Sequence, residues 1–333
     1  MTTDNRVSVS VVMATYNGVE YLNQQLLSLA RQIRRPDEIV ICDDLSDDGT
    51  FELIEAFKSN HQDLQIRINL NNRRLGPLKN FENALNLAKG DIIFFCDQDD
   101  SWCESKILKM SSIFETDSTI AIVFCNLAVT DEKLSPKGFS AWEHLKFDPS
   151  KFSEQLLLNQ VIRRNMVTGA GLAIRKKFFF EGFPAPSTWL HDEWISLYAA
   201  VCRLPVKLVP DTLVYYRQHS QNFAGMRSRT LSCKLRHRTD ELENERRKWS
   251  EAFDWFSLKR TEDKDFAIKL LEGKKLHLEA RLKGNPIRIL LELMGKRYYL
   301  FSNGTYSFVI DLVAYFFTKR EFRNVRHASG ENS

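Results

Sequence analysis

The chain lacks the loops that most often grip phosphate: neither G-x-G-x-x-G nor G-x-x-x-x-G-K-[ST] occurs in its 333 residues. A glycine-rich dinucleotide cradle and a P-loop are therefore excluded. It also lacks any Cys-x-x-Cys pair. The six cysteines, Cys42, Cys96, Cys103, Cys125, Cys202 and Cys233, are scattered, and several lie inside apolar runs. That pattern excludes a zinc ribbon and fits buried thiols in a reducing compartment better than disulfides. Glycine and proline are sparse, at 14 and 9, which excludes extensive low-complexity disorder. No basic-then-apolar leader opens the sequence, and no window reaches the ~20 apolar residues of a membrane-spanning helix. The nearest, Tyr306 to Phe317, is short and holds Asp311. The expectation is a cytoplasmic chain that can touch the inner face of the cell membrane. Net charge excludes little, being only +4, but its distribution is uneven. Acidic clusters fill the first half, and Lys/Arg runs gather after Met226. A basic tail suits an anionic membrane surface or substrate; a solvated helix face is the plainer reading.

What is present alternates. Val7 to Met13 is β-branched and reads as a buried strand, followed by the turn Thr15-Tyr16-Asn17-Gly18. Tyr21, Leu22, Leu26, Leu29 and Ile33 recur at helical spacing. Glu38 to Cys42 is a second strand, running into Asp43-Asp44-Leu45-Ser46-Asp47-Asp48-Gly49. A helix begins at Phe51. Leu64 to Leu70, a helix around Phe81 to Ala88, and Asp91 to Cys96 complete a β-α-β-α-β-α-β series, which implies a parallel sheet covered by helices. Ile120 to Cys125, the stretch after Gly169, Val206 to Val209 and Leu213 to Tyr216 read as later strands. From Ser228 onward the pattern is helical. The composition places a boundary near Gly225, giving 1–225 as an α/β domain and 226–333 as a basic helical region.

Three polar turns follow strands of this sheet, Thr15 to Asn17, Asp43-Asp44 and Asp97 to Asp100, the last two bearing carboxylates, and ligands of open α/β sheets bind at the carboxyl ends of strands. Asp97-Gln98-Asp99-Asp100 is the sharpest of them. Three carboxylates in four residues repel one another unless a cation or hydrogen bonds compensate. A helix cap before Trp102 would explain one aspartate, not three. With no phosphate loop, a divalent cation bridging carboxylate and diphosphate is the remaining way to hold a nucleotide diphosphate.

Taken together, Val11 to Gly18, Ile41 to Thr50, Lys79-Asn80-Phe81, Ala88 to Phe95 and Cys96 to Trp102 resemble glycosyltransferase family 2, in particular its bacterial rhamnosyltransferase-like branch. The resemblance covers about Val7 to Gly225, with five motifs in order. It implies a GT-A, Rossmann-like, mostly parallel sheet flanked by helices, here with a C-terminal helical extension. It implies an inverting transferase that moves a hexosyl or deoxyhexosyl group from a nucleotide-sugar to a saccharide or lipid-linked acceptor in surface polysaccharide synthesis. By that similarity Thr15, Tyr16 and Asn17 contact the nucleotide, Asp43 bonds the base with Asp44 in support, and Asp97 lies by the ribose. Lys79 reaches the ribose or phosphates, or is simply a solvated lysine. Asp99 coordinates magnesium or manganese, and His219, in Tyr215 to Asn222, completes the metal or diphosphate site, with Arg217 able to meet phosphate. Thr168-Gly169-Ala170-Gly171 resembles the acceptor-side loop. Leu190-His191-Asp192-Glu193-Trp194 resembles the segment with the catalytic base, Asp192, or Glu193 as the adjacent alternative. The QxxRW signature of processive synthases is absent, which favours single transfers.

The apolar stretch Ser307 to Phe317, followed by Lys319-Arg320, reads as a helix packed within the protein or against a second copy, or as an interfacial membrane contact for a lipid-linked acceptor. No recognition motif accompanies the charge, so nucleic acid is not an expected partner. Two other functions compete: a sugar nucleotidyltransferase, which would need a Gly- and Lys/Arg-rich loop after the first strand, and a catalytically silent nucleotide-sugar binding module.

Overall fold

The computed structural model describes residues 6–220, 222, 231–259, 264–284 and 286–315. The expected boundary at Gly225, and Phe316, Phe317, Lys319 and Arg320 of the tail, lie outside them. The chain divides into two compact units, Met1–Leu157 with Asn165–Met226, and Leu158–Arg164 with Arg227–Ser333.

The first unit is built on one nine-stranded sheet. Strands β1 (Val9–Thr15), β2 (Glu38–Asp43), β3 (Ile66–Leu70) and β4 (Ile92–Cys96) alternate with helices α1 (Val19–Ala30), α2 (Thr50–Asn60) and α3 (Pro77–Leu87). They are parallel and lie in the order β3-β2-β1-β4. Buried on both faces, β1 and β4 are apolar runs rather than alternating ones. Beyond β4 come β5 (Ser101–Trp102), helix α4 (Lys106–Thr116), β6 (Ile122–Thr130), β7 (Pro136–Ser140) and a short helix α5 (Ala141–Leu145). Strand β8 (Leu172–Arg175), helix α7 (His191–Val201) and strand β9 (Val206–Arg217) follow; α6 (Leu157–Arg163), between α5 and β8 in the chain, belongs almost wholly to the second unit. The sheet is completed in the order β4-β8-β6-β9-β5, with β7 on β6. Here pairing turns mixed: β8 is antiparallel to β4 and β6, and β5 to β9, while β6 and β9 are parallel.

Two short strands expected at 206–209 and 213–216 are one. The register against β6 jumps from Cys125↔Val209 to Asn126↔Thr212, so Pro210 and Asp211 bulge outward. Proline has no N–H to give a ladder, and a bulge lets the strand continue past it.

The second unit is helical. It contains α8 (Leu231–Arg236), α9 (Arg238–Leu258), α10 (Asp265–Lys283), α11 (Pro286–Met294), α12 (Arg297–Phe301) and a helix at 305–315. Leu242, Trp249, Ala252 and Phe256 form the buried stripe of α9, and Ala267, Ile268, Leu271 and Leu278 that of α10. Asp311, which interrupts the apolar tail, is fully buried between Arg238 Nη2 at 2.7 Å, Arg281 Nε at 2.8 Å and the Tyr298 hydroxyl at 3.0 Å. That carboxylate pins the 305–315 helix inside its unit. No helix among the described residues is long and apolar enough to cross a membrane.

Candidate active site

Strand β1 sits between β2 and β4, so the turns that follow all three are neighbours by construction. In order 3-2-1-4 the chain reverses its direction of growth beside β1, which is where open sheets leave a crevice. The turns after β1 and β4 are bonded directly: the Tyr16 N–H donates to Gln98 Oε1 at 2.9 Å, and Gln98 Nε2 donates to the Tyr16 carbonyl at 3.0 Å. The Gln98 amide occupies the space a Cβ at position 18 would need, so a side chain there would displace that amide from its bonds to Tyr16. On the other side, the Asn17 N–H donates to Ser46 Oγ at 2.9 Å and Asn17 Nδ2 to Asp47 at 2.8 Å. Leu45 holds the second turn with a left-handed φ of 61°.

A cleft of about 740 Å³ opens over this edge, a volume suited to a nucleotide-sized ligand. Thr15, Tyr16, Asn17, Asp44, Asp97, Asp99, Asp192 and His219 all line it. Asp43 does not. It is 0% exposed, its carboxylate accepting from Thr15 Oγ1 and Ser46 Oγ, each at 2.7 Å, and from the Ser46 N–H at 2.8 Å. Successive side chains of a strand alternate in direction, so only one of the Asp43-Asp44 pair can face the cleft. That one is Asp44, held by the N–H groups of Leu75 at 2.7 Å and Gly76 at 2.8 Å and by Asn71 Nδ2 at 3.0 Å. Lys79 is also off the cleft wall; it stands in the first turn of α3, paired with Glu82 at 2.6 Å.

Arg217 departs from the expected phosphate contact. It is 1% exposed, and its guanidinium donates to the Asp99 carbonyl at 2.6 Å, to Gln24 Oε1 at 2.5 Å and to the Glu132 carbonyl. Its own N–H donates to Asp100 Oδ1 at 2.9 Å. These bonds fasten the acidic turn to the end of β9.

The acidic turn is electrostatically crowded. Burial, then the charges of Asp99 and Asp192, push the Asp97 carboxyl up to about 7. Asp100, fully buried behind it, is also raised, by burial first and then by Asp99 and Asp97. Lys106 opposes both shifts. It is itself fully buried, its Nζ donating to the Ala170 carbonyl at 2.5 Å and lying 3.2 Å from the Trp102 ring centroid. Without a compensating cation, Asp97 and Asp100 therefore keep their protons to higher pH than ordinary carboxyls do.

Asp99 Oδ2 lies 2.8 Å from His219 Nε2 and accepts from Asn222 Nδ2 at 3.1 Å. Carboxylate oxygen beside imidazole nitrogen is a donor set that fits manganese and tolerates magnesium. Among the described residues, no three His, Cys, Asp or Glu side chains converge into a closed cage. Asp99 and His219 could supply two ligands to a cation here.

On the opposite wall, Asp192 opens α7 and accepts the Gly169 N–H on Oδ2 at 3.1 Å. Glu193 accepts the Leu190 N–H at 3.2 Å, closing the helix start. His191 packs against both Phe81 and Phe95, at centroid distances of 4.1 and 5.0 Å, and burial holds its imidazole down to about 3. A Cβ at position 169 would lie 2.5 Å from His191 Nε2. Thr168, Gly169 and Ala170 border the cleft as expected for a close-approach loop.

Several residues of the site went unread in the sequence. Arg74 lines the cleft with its guanidinium carbon 3.8 Å from the Tyr16 ring centroid; adjacent Arg73 and Arg74 in a loop were the available signal. Gln98 and Asn222 were legible only as polar neighbours of aspartate and histidine. Asn80 was legible only as part of the Lys79-Asn80-Phe81 motif; Asn71 Nδ2 donates to its Oδ1 at 2.9 Å, and Asn80 Nδ2 donates to the Cys42 carbonyl at 2.8 Å.

The family model for glycosyl transferase family 2 matches residues 10–180, half of the chain. An uncharacterised protein of Mycobacterium tuberculosis is 24% identical over 214 residues, 64% of this chain and 59% of the relative. The match therefore spans less than two thirds of that relative's length. The dTDP-rhamnosyl transferase RfbG of Shigella flexneri is 37% identical over 98 residues, 28% of this chain and 34% of that protein. Among solved structures, the mannosyltransferase PcManGT of Pyrobaculum calidifontis, in complex with GDP-Man and Mn2+, superposes with a TM-score of 0.56 at 16% identity, covering 98% of this chain and 77% of that one. The fold is thus the GT-A type, an α/β sheet with flanking helices and a helical C-terminal region.

Proposed function

The chain belongs to glycosyltransferase family 2, and on that premise we propose that it is an inverting transferase moving a sugar from a nucleoside diphosphate donor to a saccharide or lipid-linked acceptor of a surface glycan. The observation that carries the reading is the convergence of Asp97, Asp99, His219 and Asp192 on one cleft at the switch point of the sheet. The domain doing this work is the expected 1–225, and 226–333 is its basic helical region.

In this reading Thr15, Tyr16 and Asn17 hold the nucleotide, with Arg74 on the free side of Tyr16. The base pairs with Asp44, whose carboxylate borders the cleft; Asp43 keeps Thr15 in place from below and touches no ligand. Lys79 has no ligand role. Asp97 faces the ribose. Asp99 and His219 hold the divalent cation, which, when bound, neutralises the diphosphate and steadies it as a leaving group. Asp192 takes the proton of the acceptor hydroxyl as that oxygen attacks the anomeric carbon from the face opposite the departing diphosphate. Its bond from Gly169 N–H orients the carboxylate, and Glu193 is occupied at the helix start. The partial identity to a dTDP-rhamnosyl transferase supports a deoxyhexose donor as the finer reading.

A panel of nucleotide-sugars incubated with the chain and manganese, read by release of nucleoside diphosphate, tests this. One donor is expected to turn over, faster with acceptor. Asp192→Asn should bind that donor as tightly and lose about 10²–10⁴ in kcat. Retained turnover would remove Asp192 as base, and binding of donors with no turnover of any would leave a silent sugar-nucleotide binder.

A further inference from the structure

Helix α11 turns an apolar stripe to solvent. Ile287, Leu290, Leu291 and Met294, at spacing i, i+3, i+4, i+7, are 70%, 51%, 62% and 74% exposed. The opposite side of the helix is committed: Ile289 is buried, and Glu292 is hydrogen-bonded to the buried His277 at 2.6 Å. The stripe cannot roll inward without breaking that pair. Its ends and flank are basic, Arg288 lying 3.8 Å from Glu292. Lys283, Arg288, Lys296 and Arg297 are exposed at its ends and flank, whereas Glu292, the only carboxylate of the helix, points inward.

Two occupants could cover such a stripe, and charge separates them. A second copy meeting the same patch across a two-fold axis would bring four cations against four. An anionic bilayer accepts both features, alkyl side chains at the acyl boundary and cations among the headgroups. The 305–315 helix, where the sequence suggested a membrane contact, is held within its unit by Asp311, and α11 carries the larger exposed stripe.

We propose that α11 lies in the plane of an anionic membrane surface, with Ile287, Leu290, Leu291 and Met294 inserted and the four cations on phosphate headgroups. The inference is independent of the transfer reaction; a lipid-linked acceptor would make it useful.

The test uses the full chain and sedimentation with vesicles of equal parts phosphatidylglycerol and phosphatidylcholine, against vesicles of phosphatidylcholine alone. Binding is expected to the anionic vesicles only and to weaken as salt is raised. The double substitution Leu290→Asp, Leu291→Asp should weaken it by about a hundredfold or more, since two leucines leave the lipid, with an unchanged thermal melt. Hydrogen exchange of the unmodified protein supplies a reading that needs no variant: amides of 286–294 should gain protection when anionic vesicles are added. Absence of vesicle binding, equal binding by the double variant, or vesicle binding that leaves α11 unprotected each overturns the proposal. So does a dimer that the same substitutions dissociate while vesicle binding persists.

Discussion

Glycine at position 169 is dictated by a histidine in another element. His191 is buried and packs against Phe81 and Phe95, so a methyl group at 169 meets its ring directly. Gly169→Ala is therefore expected to cost about 1–3 kcal/mol, as overpacked substitutions do, and to shift the Gly169 N–H away from Asp192. Thermal or denaturant melts check the first effect; a fall in kcat with unchanged nucleotide affinity checks the second. At this scale the aspartates were legible because repelling carboxylates clustered after an apolar strand demand an explanation. The division of labour between Asp43 and Asp44 was not. Which of two neighbours faces the ligand depends on where the strand ends, and β2 ends at Asp43, with Leu45 in a left-handed conformation just beyond. The resemblance allows Arg217 to meet phosphate; in the structure it is buried and its guanidinium holds the Asp99 carbonyl.

Helix α4 packs through Ile107, Met110 and Phe114, and carries one buried lysine. Lys106, in its first turn, crosses beneath Trp102 to the Ala170 carbonyl, linking the acidic turn to the acceptor-side loop and supplying positive charge behind Asp97 and Asp100. Lys106→Met keeps the volume and removes both, leaving a buried carbonyl unpaired and crowded carboxyls uncompensated. A loss of about 2–4 kcal/mol in urea unfolding is expected. If the variant is as stable as the parent, the lysine carries no such linkage. The alternation from β1 to β4 could be read from the residues because both-face burial writes strands as apolar runs and helices as spaced ones. Strand β9 was split in the reading because Pro210-Asp211 is an ordinary break signal, and only pairing with β6 turns it into a bulge. Strand β5, two residues long, has no pattern to detect.

For the molecule as a whole, the sequence showed an α/β part followed by a helical one. It did not show that residues 158–164 join the helical unit, since that assignment rests on contacts far apart along the chain, such as Arg163 with the Leu300 carbonyl at 3.3 Å. That unit is secured by Asp311, whose two arginines would be left buried without a counter-charge by Asp311→Ala. A destabilisation of about 3–5 kcal/mol is expected, seen as a lower melting temperature with nucleotide binding intact below it. The central claim belongs to the other unit: a cation held by Asp99 and His219 grips the donor diphosphate. Manganese titration followed by electron paramagnetic resonance tests it most directly, because only free aqueous manganese gives the sharp signal. With a nucleoside diphosphate present, the account predicts that the protein removes one equivalent of that signal, and that Asp99→Ala or His219→Ala leaves it at least about tenfold higher in free manganese. Nucleotide binding of equal strength in chelator, with manganese uptake the same in all three proteins, would contradict it.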